Sequence, residues 1–370
     1  MGRPPRVSGR LPDFPWDRLD DAKLRAAAHP DGIVDLSIGT PVDPTPAFVQ
    51  EALRSAADAP GYPTVWGTPQ LRQSIIGYLT RRWGAVPLDE SCVLPTVGSK
   101  ELVASLPAQL GIGPADTVVV PELAYPTYEV GARLAGADVL VSDATLAAGP
   151  RDVALVWVNS PANPSGRILP PAHLRKVIAW ARDRGAVVAA DECYLEYAWD
   201  AEPVSVLDPS VNDGSLTGIV CLHSLSKRSN MAGYRAAFAA GDPEIVSELR
   251  EVRRHAGLMM ATPVQHAMRA ALDDDDHVGA QRARYRARRE ALRRGLGAAS
   301  FRIEQSEGSL YLWATREEPC ADSVGWLAER GILVAPGDFY GLAGAQHVRV
   351  ALTATDERVA AAVVRLDAGH

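Results

Sequence analysis

The sequence predicts an α/β protein: a mostly parallel seven-stranded sheet in a large domain, joined to a smaller α+β domain. Three patterns carry that expectation. From about residue 90 to 240, short β-branched runs alternate with helix-like segments, the rhythm of a parallel sheet covered by crossover helices. The runs TVVV (117–120) and AVVAA (186–190) are apolar without alternation, as strands buried on both faces are. From 276 onward the rhythm changes. A long amphipathic helix precedes GSLYLWAT, GILVAPGDFYG and HVRVALT, an α+β order.

The strand candidates, in order, are 92–96, 117–121, 138–142, 154–158, 186–190, 218–223 and 236–240. Helical patterns such as SKELVASLPAQLG (99–111) and PAHLRKVIAWARDRG (171–185) lie between them. These place the large domain at 43–275 and the small one at 1–42 plus 276–370, with IVDLSIGTPVDP (33–44) able to pack on either lobe. The basic stretch 282–296 keeps its apolar residues at helical spacing, so its arginines read as a solvated face. DDDDH (273–277) reads as a solvated turn between lobes, because adjacent side chains converge poorly on one metal ion.

The 370 residues carry a net charge of −7, from 45 acidic and 38 basic side chains. That balance argues against a dedicated nucleic-acid surface. No apolar stretch approaches a membrane span, and the basic N-terminus has no apolar core of a signal peptide, so a cytoplasmic location is expected. Cys92, Cys193, Cys221 and Cys320 lie far apart without a CxxC pair. Buried thiols fit them better than disulfides or a zinc site.

In open α/β sheets ligands bind outside the carboxyl ends of the strands, and the unusual polar residues of this chain fall there. After 92–96 come Gly98, which permits close backbone approach, and Ser99 and Lys100, which open a helix whose free N–H groups attract phosphate. After 117–121, Tyr125 is placed either to stack on a flat ring or to pack as an ordinary core tyrosine. The string NPSG after 154–158 puts Asn163 in a turn. Asp191 follows VVAA, where a lone carboxylate is costly to bury; a protonated pyridine or an arginine would each serve as partner, and Tyr194 stands one step along. HSLSKRSNMAGYRAAF (223–238) supplies Ser224, Ser226, Lys227 and Arg235. A lysine amine traps carbonyls when burial or nearby cations keep it unprotonated, and hydroxyls with a guanidinium suit a phosphate monoester. The same segment also reads as a loop with a surface lysine and an ion-paired arginine.

YPTVWGTPQLR, VGSKE, YPTY, NPSG, DECY, SLSK with AGYR, and HVRVAL together resemble the fold-type I pyridoxal-phosphate enzymes, specifically the class I/II aminotransferases. The likeness runs from about residue 30 to the C-terminus. The combination of DLSIGTPVDP, GYPTVWGTPQLR, SLSKRSNMAGYRAAF, LYLWAT and VAPGDFYG is similar to actinobacterial succinyldiaminopimelate transaminases. The resemblance implies that Lys227 forms an imine with the aldehyde of pyridoxal 5'-phosphate. It implies that Asp191 keeps the pyridine nitrogen protonated, that Asn163 and Tyr194 bond the phenolic oxygen and that Tyr125 stacks on the ring. Ser99 and Lys100 through their backbone, with Ser224, Ser226 and Arg235, would hold the phosphate. Tyr62 would reach the phosphate of a second subunit, implying a homodimer with shared sites. Arg349, helped by the backbone at Gly39, would grip the substrate carboxylate. Small amino and keto acids are the implied partners, N-succinyl-LL-2,6-diaminopimelate and 2-oxoglutarate above all.

Ser165 and Ala236 depart from the more frequent family residues, and both are small. Arg228, directly after the lysine, and Arg167 read as surface charges rather than contacts to a distal carboxylate. A carbon–sulfur lyase or another aminotransferase on the same scaffold is the nearest rival, and a non-catalytic cofactor-binding regulator a more distant one. A nicotinamide dehydrogenase is disfavoured because no GxGxxG follows a strand.

Overall fold

The computed structural model describes residues 7–149 and 151–367. Thirteen strands occur among the described residues. Seven form the large sheet: β2 (Val93–Thr96), β3 (Thr117–Val120), β4 (Asp138–Val141), β5 (Val153–Asn159), β6 (Val187–Asp191), β7 (Ile219–Ser224) and β8 (Ala237–Gly241). Their spatial order is β2-β8-β7-β6-β5-β3-β4. Only β8 runs antiparallel to its neighbours, β2 and β7; the other pairs are parallel.

Alternate residues of the central strands feed two different cores. Val156, Val158, Val188, Ala190, Ile219, Cys221 and Phe238 face one; Leu155, Trp157, Ala189, Val220, Leu222 and Ala239 face the other. Helices therefore have to cover both sides, which is why these strands read as unbroken apolar runs.

A third core belongs to the smaller sheets. β9 (Arg302–Glu304), β10 (Tyr311–Thr315), β12 (Ala335–Pro336) and β13 (His347–Ala351) form a four-stranded antiparallel sheet. β1 (Val34–Asp35) pairs in parallel with β11 (Ile332–Leu333). Leu19, Ala22, Ala26, Val34 and Leu36 pack into this core, so the N-terminal segment joins the lobe built from the C-terminal part of the chain. No helix among the described residues is long and apolar enough to cross a membrane.

Two surface readings are corrected. The helix Asp276–Ala298 buries Arg288 and Arg289: Arg288 pairs with Asp43 at 2.7 Å and Asp356 at 2.6 Å, and Arg289 pairs with Asp200. DDDDH is solvated at Asp273 and Asp276, but its half-buried Asp274 and Asp275 brace it. Asp275 bonds Arg81 and Arg228, both at 2.8 Å, and Asp274 Oδ1 lies 2.5 Å from His277 Nδ1. Charge density in the sequence suggests solvent, but Asp43, Asp200 and Asp356 reach the two arginines, and Arg81 and Arg228 reach Asp275, from distant segments.

Candidate active site

The carboxyl ends of β2, β3, β5, β6 and β7 bring the candidate residues to one edge of the sheet, where the small antiparallel sheet meets them. Gly98 takes φ +86° just before the helix Ser99–Gln109. A methyl group there would collide with the Arg235 guanidinium, so glycine is what lets that cation lie against the helix N-terminus. Arg235 itself adopts φ 56° and donates to the Ala232 carbonyl at 2.8 Å. Ser224 Oγ accepts from the Ser226 amide at 3.2 Å, capping the single turn Leu225–Arg228. Strand register sets Ser224 opposite Ala237, which faces Thr96, so a helix start, a guanidinium and a serine-rich turn share one edge and together could hold a phosphate. Lys100 is exposed, so only its backbone is suited to join them.

Asp191 closes β6 and is buried. Neither an arginine nor any other cation pairs with it among the described residues. Its Oδ2 accepts from Tyr128 at 2.8 Å and its Oδ1 from the Cys193 amide at 3.2 Å. Burial still raises its pKa, against the lowering by these two bonds. A buried carboxyl held by only neutral donors calls for a cationic partner. Tyr128, in the first turn of the helix Thr127–Ala135 that follows Tyr125, was not singled out from the sequence; it also stacks on Trp157, with centroids 4.6 Å apart. Tyr125 meets Tyr128 edge-on at 5.7 Å, and burial pushes its hydroxyl up to about 12. Asn159, at the end of β5, also went unnoticed. Its amide donates to the Asp191 carbonyl at 2.8 Å and its oxygen accepts from the Asn163 amide at 2.7 Å, fixing the turn that carries Asn163.

Lys227 projects from its turn toward the small lobe, and its amine donates to the Gly39 carbonyl. Desolvation lowers its pKa; Arg349 and Arg235 push the same way, while Tyr311 opposes them. The lysine is therefore primed toward the neutral, nucleophilic form.

The opposite wall is built by β10 and β13. Arg349, on β13 and fully enclosed, donates to Asn163 Oδ1 at 2.8 Å and to the Ser37 carbonyl at 2.6 Å. Its Nε has no hydrogen-bond partner among the described residues. The guanidinium lies 4.0 Å from the centroid of Tyr311 and 4.9 Å from that of Tyr340. Tyr194 and Tyr311 share a hydrogen bond of 2.9 Å between their hydroxyls. A side chain at Gly39 would collide with the Tyr311 hydroxyl, which makes that glycine necessary to the wall. Tyr311 and Tyr340 escaped the sequence reading because their strand and turn reveal nothing of which face meets the other lobe.

Three residues fall elsewhere. Tyr62 is 98% exposed and joins nothing in this chain's own site. Arg228 is 3% exposed, which overturns its reading as a surface charge; it turns away from the site into a buried ion-pair cluster with Glu196 and Asp275. Arg167 is half-exposed beside Asp143 at 3.8 Å, in keeping with a surface role.

The family model "Aminotransferase class I and II" matches residues 31–366. The chain is a class I and II aminotransferase. It is 64% identical over 360 residues to a protein of Mycobacterium tuberculosis described as a probable aminotransferase, covering 97% of this chain and 86% of the relative. It is 58% identical over 356 residues to the 4-dedimethylamino-4-oxo-anhydrotetracycline transaminase OxyQ of Streptomyces rimosus, covering 96% and 99% of the two chains. Among solved structures it superposes on a probable N-succinyldiaminopimelate aminotransferase of Thermus thermophilus with a TM-score of 0.86 and 28% identity, covering 96% and 100%. This aminotransferase has the fold-type I architecture, and its cofactor is pyridoxal phosphate. The residues present fit that group: a phosphate cradle, a buried carboxyl wanting a cation, a neutral-leaning lysine and a tyrosine beside them.

Proposed function

We propose that this aminotransferase transfers the amino group of N-succinyl-LL-2,6-diaminopimelate to 2-oxoglutarate, with Lys227 as the cofactor-bonding base. The observation that carries the catalytic part is the Lys227 amine: half-buried, shifted toward neutrality, and turned toward the Gly39 carbonyl and the Arg349 wall. Bound pyridoxal phosphate supplies an electron sink for the charge left when a substrate loses its alpha proton. Asp191 would hold the proton on the ring nitrogen, and Tyr128 and the Cys193 amide hold Asp191. Asn163 and Tyr194 would donate to the phenolic oxygen, and Tyr125 would cover the ring. Ser224, Ser226, Arg235 and the amides of Ser99 and Lys100 would bind the phosphate. Arg349 takes the alpha-carboxylate as a forked pair using its spare Nε, and the Gly39 backbone borders it. The Lys227 amine would move the proton at the substrate's alpha carbon.

Tyr62, projecting from its own chain, suits a contact with the phosphate of a second copy, so we read the protein as a homodimer with shared sites. We place the division between the lobes at 43 and 275, where the chain passes from one core to the other. The succinylated donor is supported by the likeness to the Thermus thermophilus structure. The 58% identity to OxyQ favours a second reading, amination of a ring ketone on a polycyclic acceptor.

The test follows the absorption of the yellow, loaded protein. N-succinyl-LL-diaminopimelate alone should bleach it to the amine form of the cofactor, and 2-oxoglutarate should restore it. Accumulation of that amine form also separates transamination from carbon–sulfur cleavage. Turnover of many ordinary amino acids with none of the succinylated donor would remove the substrate assignment. Amination of an anhydrotetracycline ketone under the same conditions would replace it with the second reading.

A further inference from the structure

The residue after the lysine points into a different environment from the lysine itself. Leu225–Arg228 is one helical turn, too short to hold its own shape. Its local support is the Ser224 cap and a bond from the Ser229 amide to the Leu225 carbonyl at 3.0 Å. Additional support comes from outside the turn. Tyr197, wholly buried in the small-lobe core, donates its hydroxyl to the Lys227 carbonyl at 2.8 Å.

Arg228 carries the larger share. Its Nη1 donates to the Ala271 carbonyl at 2.5 Å and to Ser229 Oγ at 3.3 Å. Its Nη2 donates to the Asp274 carbonyl at 3.1 Å and to Asp275 Oδ1 at 2.8 Å, and its Nε faces Glu196 Oε1 at 3.4 Å. The guanidinium lies 4.8 Å from the centroid of Tyr78, whose hydroxyl donates to the same Glu196. Each nitrogen is engaged, which a planar fork can do and an ammonium cannot. One residue on, Ser229 Oγ lies 2.9 Å from His277 Nε2, and His277 is held by Asp274.

These partners share a location. The helix Thr262–Leu272 packs into the large-sheet core through Ala267, Met268, Ala271 and Leu272. The helix Asp276–Ala298 packs into the small-lobe core through Tyr285, Leu292 and Leu296. Residues 273–275 are the crossing between them.

We propose that Arg228, with Asp275 and the Ser229–His277 pair, is a positioning element that fixes the reach of the Lys227 amine by fastening its turn to the crossing between the two cores. Arg228 touches neither cofactor nor substrate; it acts through the backbone it shares with Lys227. The inference rests on Lys227 being the residue that bonds the cofactor.

The test uses the loaded full-length protein and three variants. Arg228→Lys keeps the charge but loses the fork; Asp275→Asn and His277→Gln loosen the crossing side. Melting temperature and cofactor dissociation constant report folding and loading. The pH titration of the absorption of the lysine-linked cofactor, and the single-turnover rate with L-glutamate, report the amine. Tyr311, Arg349, Cys193 and Arg235, the ionisable groups acting on Lys227, stay unaltered in all three.

For Arg228→Lys we expect the titration midpoint to move by about half a unit or more. The single-turnover rate should fall roughly 10-fold or further, as small misplacements of a reacting group cost. The KM for L-glutamate should stay within about twofold, because the carboxylate wall is untouched. Asp275→Asn and His277→Gln should shift the same readings in the same direction by less. An unchanged midpoint and an unchanged rate per loaded, folded enzyme would overturn the inference; should Arg228→Lys fail to fold, the other two variants decide by the same criterion. Retention of the lysine-linked absorption in Lys227→Ala would instead overturn the assignment of the lysine, whatever the three variants show.

Discussion

The carboxyl edge of the large sheet and the ion-pair cluster behind it are two polar sites separated by a single residue step, Lys227 to Arg228. At the edge, polar groups are left wanting. Asp191 has only neutral donors, Lys227 is pushed toward neutrality, and Arg349 keeps a free Nε among the described residues. Behind it, Arg228, Glu196, Arg82, Asp275 and Arg81 bond one another. Unsatisfied buried groups cost stability and persist where a ligand completes them. Saturated ones hold the frame in which that ligand is met.

The largest expected effect tests the lysine. Lys227→Ala should lower transamination by at least ~10⁴-fold while the protein melts within a few degrees of wild type. Turnover and a thermal scan measured together check this; a large loss of stability would mean that the edge is structural after all.

Glu196→Gln should do the reverse. It leaves Arg228 and Arg82 short of a buried counter-charge, and breaking such a pair costs about 3 kcal/mol or somewhat more. Denaturant unfolding of the apoprotein reads that loss. A cost near zero would mean that Asp275 alone satisfies the cluster.

The smallest effect sharpens the contrast through pH. Because burial raises the Asp191 pKa in the unliganded protein, the folded state keeps its proton when the unfolded state has already lost it. Stability therefore falls as pH rises from the ordinary aspartate value through the folded pKa, and stays lower above it. Asp191→Asn removes that penalty. The variant apoprotein should match wild type in acid and be equal or more stable at neutral pH, although it loses activity once loaded. Denaturation of both apoproteins across that range checks the sign, and a neutral-pH loss of stability would contradict it.

Much of the edge was legible from the chain alone, for a local reason. Asp191 directly follows VVAA, Asn163 sits in the turn after β5, and Lys227 lies three residues past β7; a polar residue at the end of an unbroken apolar run is conspicuous in sequence order. The cluster behind it was misread for the opposite reason. Arg228, Arg288 and Arg289 look like surface charge because most such residues are. Their burial depends on partners tens of residues away, such as Glu196 for Arg228 and Asp43 for Arg288. Tyr311 and Tyr340 were hidden similarly, since the contact of Tyr311 with Gly39 joins segments from opposite ends of the chain.

Strand periodicity, the order of apolar runs and the chemistry placed after each of them belong to the sequence by itself, because backbone hydrogen bonding and side-chain alternation act between near neighbours. Which charges are buried, and which of those find partners, was decided by the tertiary structure alone. Desolvation and ion pairing depend on what the remainder of the chain brings to within a few ångströms.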